Sequence, residues 1–165
     1  QYADHFDQTL SDPHFEPNGP VGNPTIQHPL NIRLGDAIWL KGYTLTQTTA
    51  KPGGTLALTL YWQATKPLDK DYFVFVQAID LKDFHKAGQR DGQPGCNAYP
   101  TTTWLPGDVI ADHYTLPIEP DAPLGEYMLL TGLYIGDQRL DAYTAEGQPA
   151  GNQVELAPIR VQPTD

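Results

Sequence analysis

The residues that most often carry enzyme chemistry are scarce in this chain. Ser11 is its one serine and Cys96 its one cysteine, and neither has a histidine at a spacing typical of nucleophilic catalysis. No GxSxG motif occurs, and the glycine-rich stretch 92–95 lacks the following lysine and helix of a phosphate-binding loop. Hydrolytic carboxylates pair in space rather than in sequence, and the strand-borne candidates are Asp112, Glu126 and Asp141. The sequence thus predicts no catalytic constellation.

Metal ligands are equally sparse. His85 and His113 are the histidines of the predicted folded part, with no HxH or HExxH spacing, and no DxDxDG calcium loop is present. Asp80, Asp83 and Asp91 are close enough in sequence to be candidates for a surface calcium site, but carboxylates in turns are more commonly solvated. We therefore predict no metal and no cofactor.

Aromatic residues are the remaining candidates for ligand binding, since the chain holds three tryptophans and nine tyrosines. In the long loop after residue 83, Trp104 and Tyr99 stand near Asp91 and Arg90. Such a group can stack on a sugar ring and hydrogen-bond its hydroxyls, so these four residues are the predicted carbohydrate site. The alternative, which we favour, is that the loop folds back over the edge of the domain and is pinned there by Trp104.

Alternation of apolar and polar residues predicts the elements that position these side chains. Residues 55–65 give the clearest strand, with Leu56, Leu58, Leu60, Trp62 and Ala64 on one face. Trp39 faces away from the apolar side of its own strand. Further strands are predicted at residues 37–46, 72–81, 85–89, 109–118, 126–135, 139–143 and 154–161. Proline and glycine turns separate them. This pattern predicts an all-β fold, an antiparallel β-sandwich of immunoglobulin-like or jelly-roll-like type with eight to nine strands.

Composition sets the domain plan and excludes some partners. Five prolines punctuate residues 1–29, which we interpret as a Pro-rich linker or N-terminal arm, followed by the β-sandwich at residues 30–165. The net charge of −10 disfavours nucleic acid. No 18-residue apolar run is present, so we expect no direct membrane insertion of this fragment. Because the chain starts at Gln1, we expect it to derive from a longer protein.

From residue 31 onward, a series of short motifs resembles a known family. The motifs are LALTLYWQA (56–64), DYFVFVQ (71–77), QRDGQP (89–94), YPT (99–101), WLPG (104–107), DHYTL (112–116), PLGEY (123–127), GLY (132–134) and RL (139–140). In this order they resemble the soluble C-terminal domain of multi-span membrane glycosyltransferases of the protein-mannosyltransferase type, as in Chloroflexus-like bacteria. The resemblance covers about four fifths of the chain. Cys96 departs from it, because a small residue such as glycine is usual there.

The resemblance implies a domain outside the cytoplasmic membrane, tethered to a parent membrane domain. The catalytic residues of such transferases lie in the membrane part, so none is carried over to this chain. The implied function is that of a non-catalytic accessory domain contacting a glycan or a glycosylated protein acceptor. A free carbohydrate-binding module and a structural interaction domain of an exported surface protein are the alternatives.

Overall fold

Strands with alternating apolar side chains make up most of the computed structural model, which describes residues 17–163. The strands are β1 (Gly19–Val21), β2 (His28–Leu34), β3 (Ile38–Leu45), β4 (Thr49–Ala50), β5 (Thr55–Ala64), β6 (Phe73–Ile79), β7 (Lys86–Gly92), β8 (Val109–Pro117), β9 (Gly125–Ile135), β10 (Gln138–Arg139), β11 (Ala142–Tyr143) and β12 (Val154–Val161). A 3-10 turn lies at Thr101–Thr103. No helix within the described residues is long and apolar enough to cross a membrane.

The strands form two sheets that pack face to face. Sheet A has the order β1-β8-β5-β3-β2-β11, and sheet B has the order β4-β12-β9-β6-β7 with β10 paired to β9. Every pairing is antiparallel except the short one between β12 and β4. The predicted antiparallel sandwich is confirmed. Eight of the twelve described strands have seven or more residues, which matches the predicted eight to nine, and the others have two or three.

The core lies between the sheets, where the sequence pattern placed it. The face of β5 that bears Leu56, Leu58, Leu60 and Trp62 is buried throughout, and Trp62 is fully buried, as predicted. Strand β6 is buried on both faces. Val74 and every second residue after it face sheet A, whereas the residues between them are covered by side chains on the outer side of sheet B. Trp39 lies partly exposed.

Two strands occupy the segment predicted to be a linker, in its described part. Pro20 lies in β1, and Pro29 lies in β2. Proline lacks an amide hydrogen, so strands tolerate it at sheet edges and irregularities. Strand β1 is an edge strand, and the pairing of β2 with β3 shifts register between Pro29 and Ile32. The prolines therefore do not break these strands. Residues 1–16 of the predicted linker lie outside the described part of the chain.

The two ends of the sandwich carry different loops. One end holds the β5–β6 loop, the β2–β3 turn and the β9–β10 turn, and we call it the near end. The other end, the far end, holds the β6–β7 turn and the β8–β9 loop. The predicted single strand at residues 139–143 is instead split at the near end. Its first part joins sheet B as β10 and its last part joins sheet A as β11.

Candidate functional site

The loop that carries Trp104 and Tyr99 is folded back on the sandwich. We call residues 93–104 the covered loop. Trp104 is 3 % exposed and belongs to the main core, and its indole N–H donates a hydrogen bond of 2.9 Å to the carbonyl of Tyr99. The Tyr99 ring packs so closely on Gly19 and Gly95 that a Cβ at either glycine would lie within 2.6 Å of it. Trp104 thus offers no ring face to a sugar, and its position matches the alternative interpretation, a pinned loop.

Arg90 and Asp91 point to opposite sides of β7. Arg90 lies opposite Val76 on the side facing sheet A, and its Nη1 donates a hydrogen bond of 3.1 Å to the carbonyl of Thr115. Asp91 lies opposite Phe75 on the outer side of sheet B. The four residues of the predicted carbohydrate site are therefore not brought together on one surface, and only Asp91 joins the aromatic surface described next.

Three aromatic rings form a cluster on the outer side of sheet B, which we call the aromatic platform: Phe73, Phe75 and Tyr134. The register of β6 with β9 places Phe73 directly opposite Tyr134. The rings of Tyr134 and Phe73 are nearly parallel, and their centroids lie 5.6 Å apart. The centroid of the Tyr134 ring lies 6.2 Å from that of Phe75. Phe75 is only 2 % exposed, whereas Phe73 and Tyr134 are partly exposed. The platform therefore presents two aromatic rings to solvent, supported by a third beneath them.

A polar rim borders the platform on the side of β7. The Tyr134 hydroxyl donates a hydrogen bond of 2.6 Å to Asp91 Oδ2, and Gln89 Nε2 donates one of 3.0 Å to Asp91 Oδ1. Lys86 Nζ in turn donates to Gln89 Oε1 at 2.9 Å. Burial, with the hydrogen bond to Asp91 and its charge, raises the pKa of Tyr134 to about 12. The phenol is therefore protonated at neutral pH, and it holds the Asp91 carboxylate beside the exposed rings.

On the opposite side of the platform the rim is Arg139. Strand β10 pairs Arg139 with Tyr134, and the guanidinium carbon lies 4.1 Å from the centroid of the Phe75 ring. Arg139 Nη1 also donates a hydrogen bond of 3.1 Å to Gln153 Oε1, which fixes its direction. A guanidinium held over an aromatic ring gains cation–π attraction and keeps other N–H groups for a ligand.

Gln77 adds an acceptor beneath this surface. It stands two residues after Phe75 on the same side of β6, opposite Gln89 and Leu130. Its side chain is 3 % exposed, and its Oε1 has no hydrogen-bond partner. A buried carbonyl oxygen left without a donor is costly. The Gln77 carbonyl oxygen therefore lies beneath the platform, out of contact with solvent.

The carboxylates considered for hydrolysis lie apart. Asp112 is fully buried on the inner side of β8, where it accepts hydrogen bonds from Trp62 Nε1 at 3.0 Å and from the Gly95 amide at 2.7 Å. Despite these donors, burial raises its pKa to about 7. Glu126 is the second residue of β9, at the far end, and Asp141 lies at the near end. Asp112 is thus placed to anchor the covered loop through Gly95.

The residues considered for calcium are also separated. Asp80 and Asp83 lie in the turn between β6 and β7 at the far end, where they accept hydrogen bonds from the amides of Lys82 and His85. Asp91 lies at the other end of β7. Among residues 17–163, no group of three or more His, Cys, Asp or Glu side chains is arranged to hold a metal ion.

Sequence reasoning missed Phe73, Phe75, Tyr134 and Arg139 as site residues. The signal for the first two was present, because alternation along β6 places Phe73, Phe75 and Gln77 on one side. Their meeting with Tyr134 and Arg139 depends on the pairing of β6 with β9 and of β9 with β10. The local alternation of apolar and polar residues does not predict such long-range pairings.

Together, the fold and the surface define a two-sheet β-sandwich that bears an aromatic platform with a polar rim. Comparison with solved structures finds the same fold in the C-terminal domain of Wzt, with a TM-score of 0.50 at 12 % sequence identity over 87 % of this chain and 83 % of that chain. At this identity the likeness is one of fold. No family model matches the chain, and no curated protein matches it significantly. The resemblance to glycosyltransferase domains thus remains an expectation from the sequence.

Proposed function

We propose that this domain is a non-catalytic carbohydrate-binding module, and that it holds a glycan against the aromatic platform. The observation that carries the proposal is the pair of partly exposed rings, Phe73 and Tyr134, with the Asp91 carboxylate hydrogen-bonded at their edge. A pyranose has an apolar C–H face that packs on aromatic rings and hydroxyls that need placed polar partners. Asp91 and Arg139 supply an acceptor and a donor on opposite sides of the rings.

Hydrogen bonds within the protein hold the side chains of the rim. Gln89, Lys86 and the Tyr134 hydroxyl fix the Asp91 carboxylate, and Gln153 fixes Arg139. Order of this kind lowers the entropy lost when a ligand binds.

The resemblance found in the sequence supplies the proposed setting. In that setting the domain lies outside the cytoplasmic membrane as an accessory part of a membrane glycosyltransferase, and it contacts the glycan or the glycosylated acceptor. The chemistry of transfer belongs to the parent membrane domain. Recovery of the full-length gene tests this setting, because a gene without upstream membrane spans would contradict it.

The second candidate function is a structural interaction domain, which the far end of the sandwich favours. Phe84 is 72 % exposed there and has a φ of 62°, an unfavourable backbone conformation for a bulky residue. Leu81 and Leu124, in the two loops of the far end, are exposed as well. An apolar surface of this kind is typical of contacts with another protein. It lies at the opposite end from the platform's exposed rings, so variants separate the two functions.

The proposal is tested by a glycan array of neutral and acidic oligosaccharides, followed by calorimetric titration of the glycans that bind. We expect Tyr134→Ala to lower the affinity at least tenfold, about 1.4 kcal/mol, because it removes both a ring face and the partner of Asp91. Phe84→Ala, an equally large truncation at the far end, is the matched control and should leave the affinity unchanged. Absence of binding by the unaltered protein, or unchanged affinity in Tyr134→Ala, would contradict the proposal.

A further inference from the structure

A cavity at the near end of the sandwich adjoins the aromatic platform. We call it the end cavity, and its volume is about 560 Å³, within the roughly 300–1,000 Å³ typical of ligand pockets. The β2–β3 turn, the β5–β6 loop and the segment between β10 and β11 surround it. Its polar lining includes Asp36, Lys66, Asp69, Lys70, Tyr72 and Asp141.

The end cavity and the aromatic platform share a border. Arg139 lines the cavity, and its guanidinium also lies over Phe75 of the platform. Tyr72 lines the cavity as well, and the next residue, Phe73, is part of the platform. Arg139 therefore borders both the platform and the end cavity.

The walls of the end cavity are held by hydrogen bonds of the backbone. The Gly35 amide donates to the carbonyl of Asp141 at 2.8 Å, and Thr101 Oγ1 donates to the carbonyl of Lys70 at 2.5 Å. The Leu140 amide donates to the carbonyl of Leu133 at 2.9 Å, which ties the same wall to β9. The β2–β3 turn and the segment between β10 and β11 are thus tied to each other and to β9.

The lining of the end cavity suits an uncharged ligand rich in hydroxyls. Lys66 and Lys70 are donors, and Asp36, Asp69 and Asp141 are acceptors, so both signs of charge face one space. Within the described residues, these five side chains make no hydrogen bond or ion pair with one another. Hydroxyl groups both donate and accept, whereas an anionic or cationic ligand would meet a like charge on one wall.

We infer that the domain recognises a neutral, linear oligosaccharide longer than two sugars, with one part stacked on the aromatic platform and the continuing chain bound in the end cavity. This inference rests on the proposed function, since the platform supplies the first contact. It adds a second subsite and makes chain length a determinant of affinity.

The test is a calorimetric comparison of disaccharides with hexasaccharides of the malto-, cello-, manno- and galacto- series, using the intact protein. We expect the hexasaccharide of the recognised series to bind more than tenfold tighter than its disaccharide, which exceeds the roughly fivefold statistical gain from extra binding registers. Asp141→Asn and Lys70→Gln should each weaken hexasaccharide binding several-fold and leave disaccharide binding unchanged. Both side chains are exposed, so the fold should be retained. Asp121→Asn, an exposed aspartate at the far end, is the matched control.

Two failures are distinguishable. Equal affinity for short and long chains, or cavity variants that weaken both or neither, would overturn the second subsite while leaving the platform in place. Loss of all binding to these series and to the array, or indifference to Tyr134→Ala, would instead overturn the proposed function.

Discussion

The covered loop and the aromatic platform contain similar residues and use them in opposite ways. In the covered loop, Trp104 is buried in the core and the Tyr99 ring is packed on two glycines. On the platform, Phe75 alone is buried, and Phe73 and Tyr134 remain partly exposed above it. An aspartate lies next to each region: Asp112 beneath the loop and Asp91 beside the platform. Each aspartate is held by hydrogen-bond donors.

The difference lies in what each aspartate faces. Asp112 is enclosed, so its carboxylate accepts hydrogen bonds from groups of the protein and thereby fixes the loop. Asp91 lies on the exposed outer side of sheet B, so its carboxylate is accessible to a ligand. Aromatic residues near an acid in sequence therefore mark either a pinned loop or a binding surface. The side of the sheet on which they lie decides between the two.

The largest expected effect is that of Trp104→Ala on stability. Removal of a buried tryptophan leaves a cavity and an unpaired carbonyl at Tyr99, so we expect the free energy of unfolding to fall by about 3–5 kcal/mol. Urea denaturation followed by circular dichroism measures this change. Leu105→Ala, at a neighbour that is 66 % exposed, should change the stability by less than about 0.5 kcal/mol. A small effect of Trp104→Ala would contradict the contrast between the covered loop and the platform, because Trp104 would then not hold the loop in place.

The next effect is a pH dependence that arises from Asp112. Its pKa is about 7 in the folded protein and near the ordinary value of 3.8 when unfolded, so the folded state retains the proton over that interval. The stabilisation is complete below pH 3.8 and is lost as the pH rises through 7. Over about three pH units, the loss in the free energy of unfolding amounts to roughly 4 kcal/mol at most.

Thermal unfolding from pH 4 to pH 8 measures this dependence. The difference in stability between the unaltered protein and Asp112→Asn should change across the interval, because asparagine does not titrate. A matched change at Asp121, which is exposed at the far end, should leave the slope unaltered. If the curves of stability against pH for Asp112→Asn and the unaltered protein ran parallel, the Asp112 carboxyl group would titrate outside this range.

The smallest effect is expected for Tyr134→Phe, which sharpens the platform side of the comparison. The variant keeps the ring and loses the hydrogen bond of the hydroxyl to Asp91. Glycan affinity should fall about three- to tenfold, because the Asp91 carboxylate is no longer held by the hydroxyl and must be ordered when the glycan binds, at roughly 0.5–1.5 kcal/mol for one side chain. Calorimetry with the glycan from the array measures it. An affinity as low as that of Tyr134→Ala would mean that the ring itself contributes nothing.

Local patterns were enough to predict most of the fold. The strand predicted at residues 55–65 is β5 (Thr55–Ala64), and the one at 154–161 has the bounds of β12. Period-two alternation and turn residues act locally, so they can be read without knowing the partner strand. The short strands β1 and β4 were not predicted, because each exists only through pairing with a strand far away in sequence.

The candidate site was far less predictable. Asp91 was named as a site residue, but in combination with Trp104, which the structure buries in the core. Tyr134 lies 43 residues away from Asp91, and the two meet only because β6 and β7 pair while β6 also pairs with β9. The register of these three strands depends on the whole sandwich. Local sequence holds the components of the site but not their arrangement.

The edges of the two sheets bear on how this protein behaves at high concentration. Unpaired strand edges invite other chains to add, which is a common start of aggregation. Three of the four edges in the described chain, formed by β1, β4 and β11, have only two or three residues, and β1 contains Pro20. Strand β7 is an edge strand of seven residues, and it carries Lys86, Arg90 and Asp91, whose charges oppose stacking of like copies. Self-association through the backbone of β7 should therefore be slow.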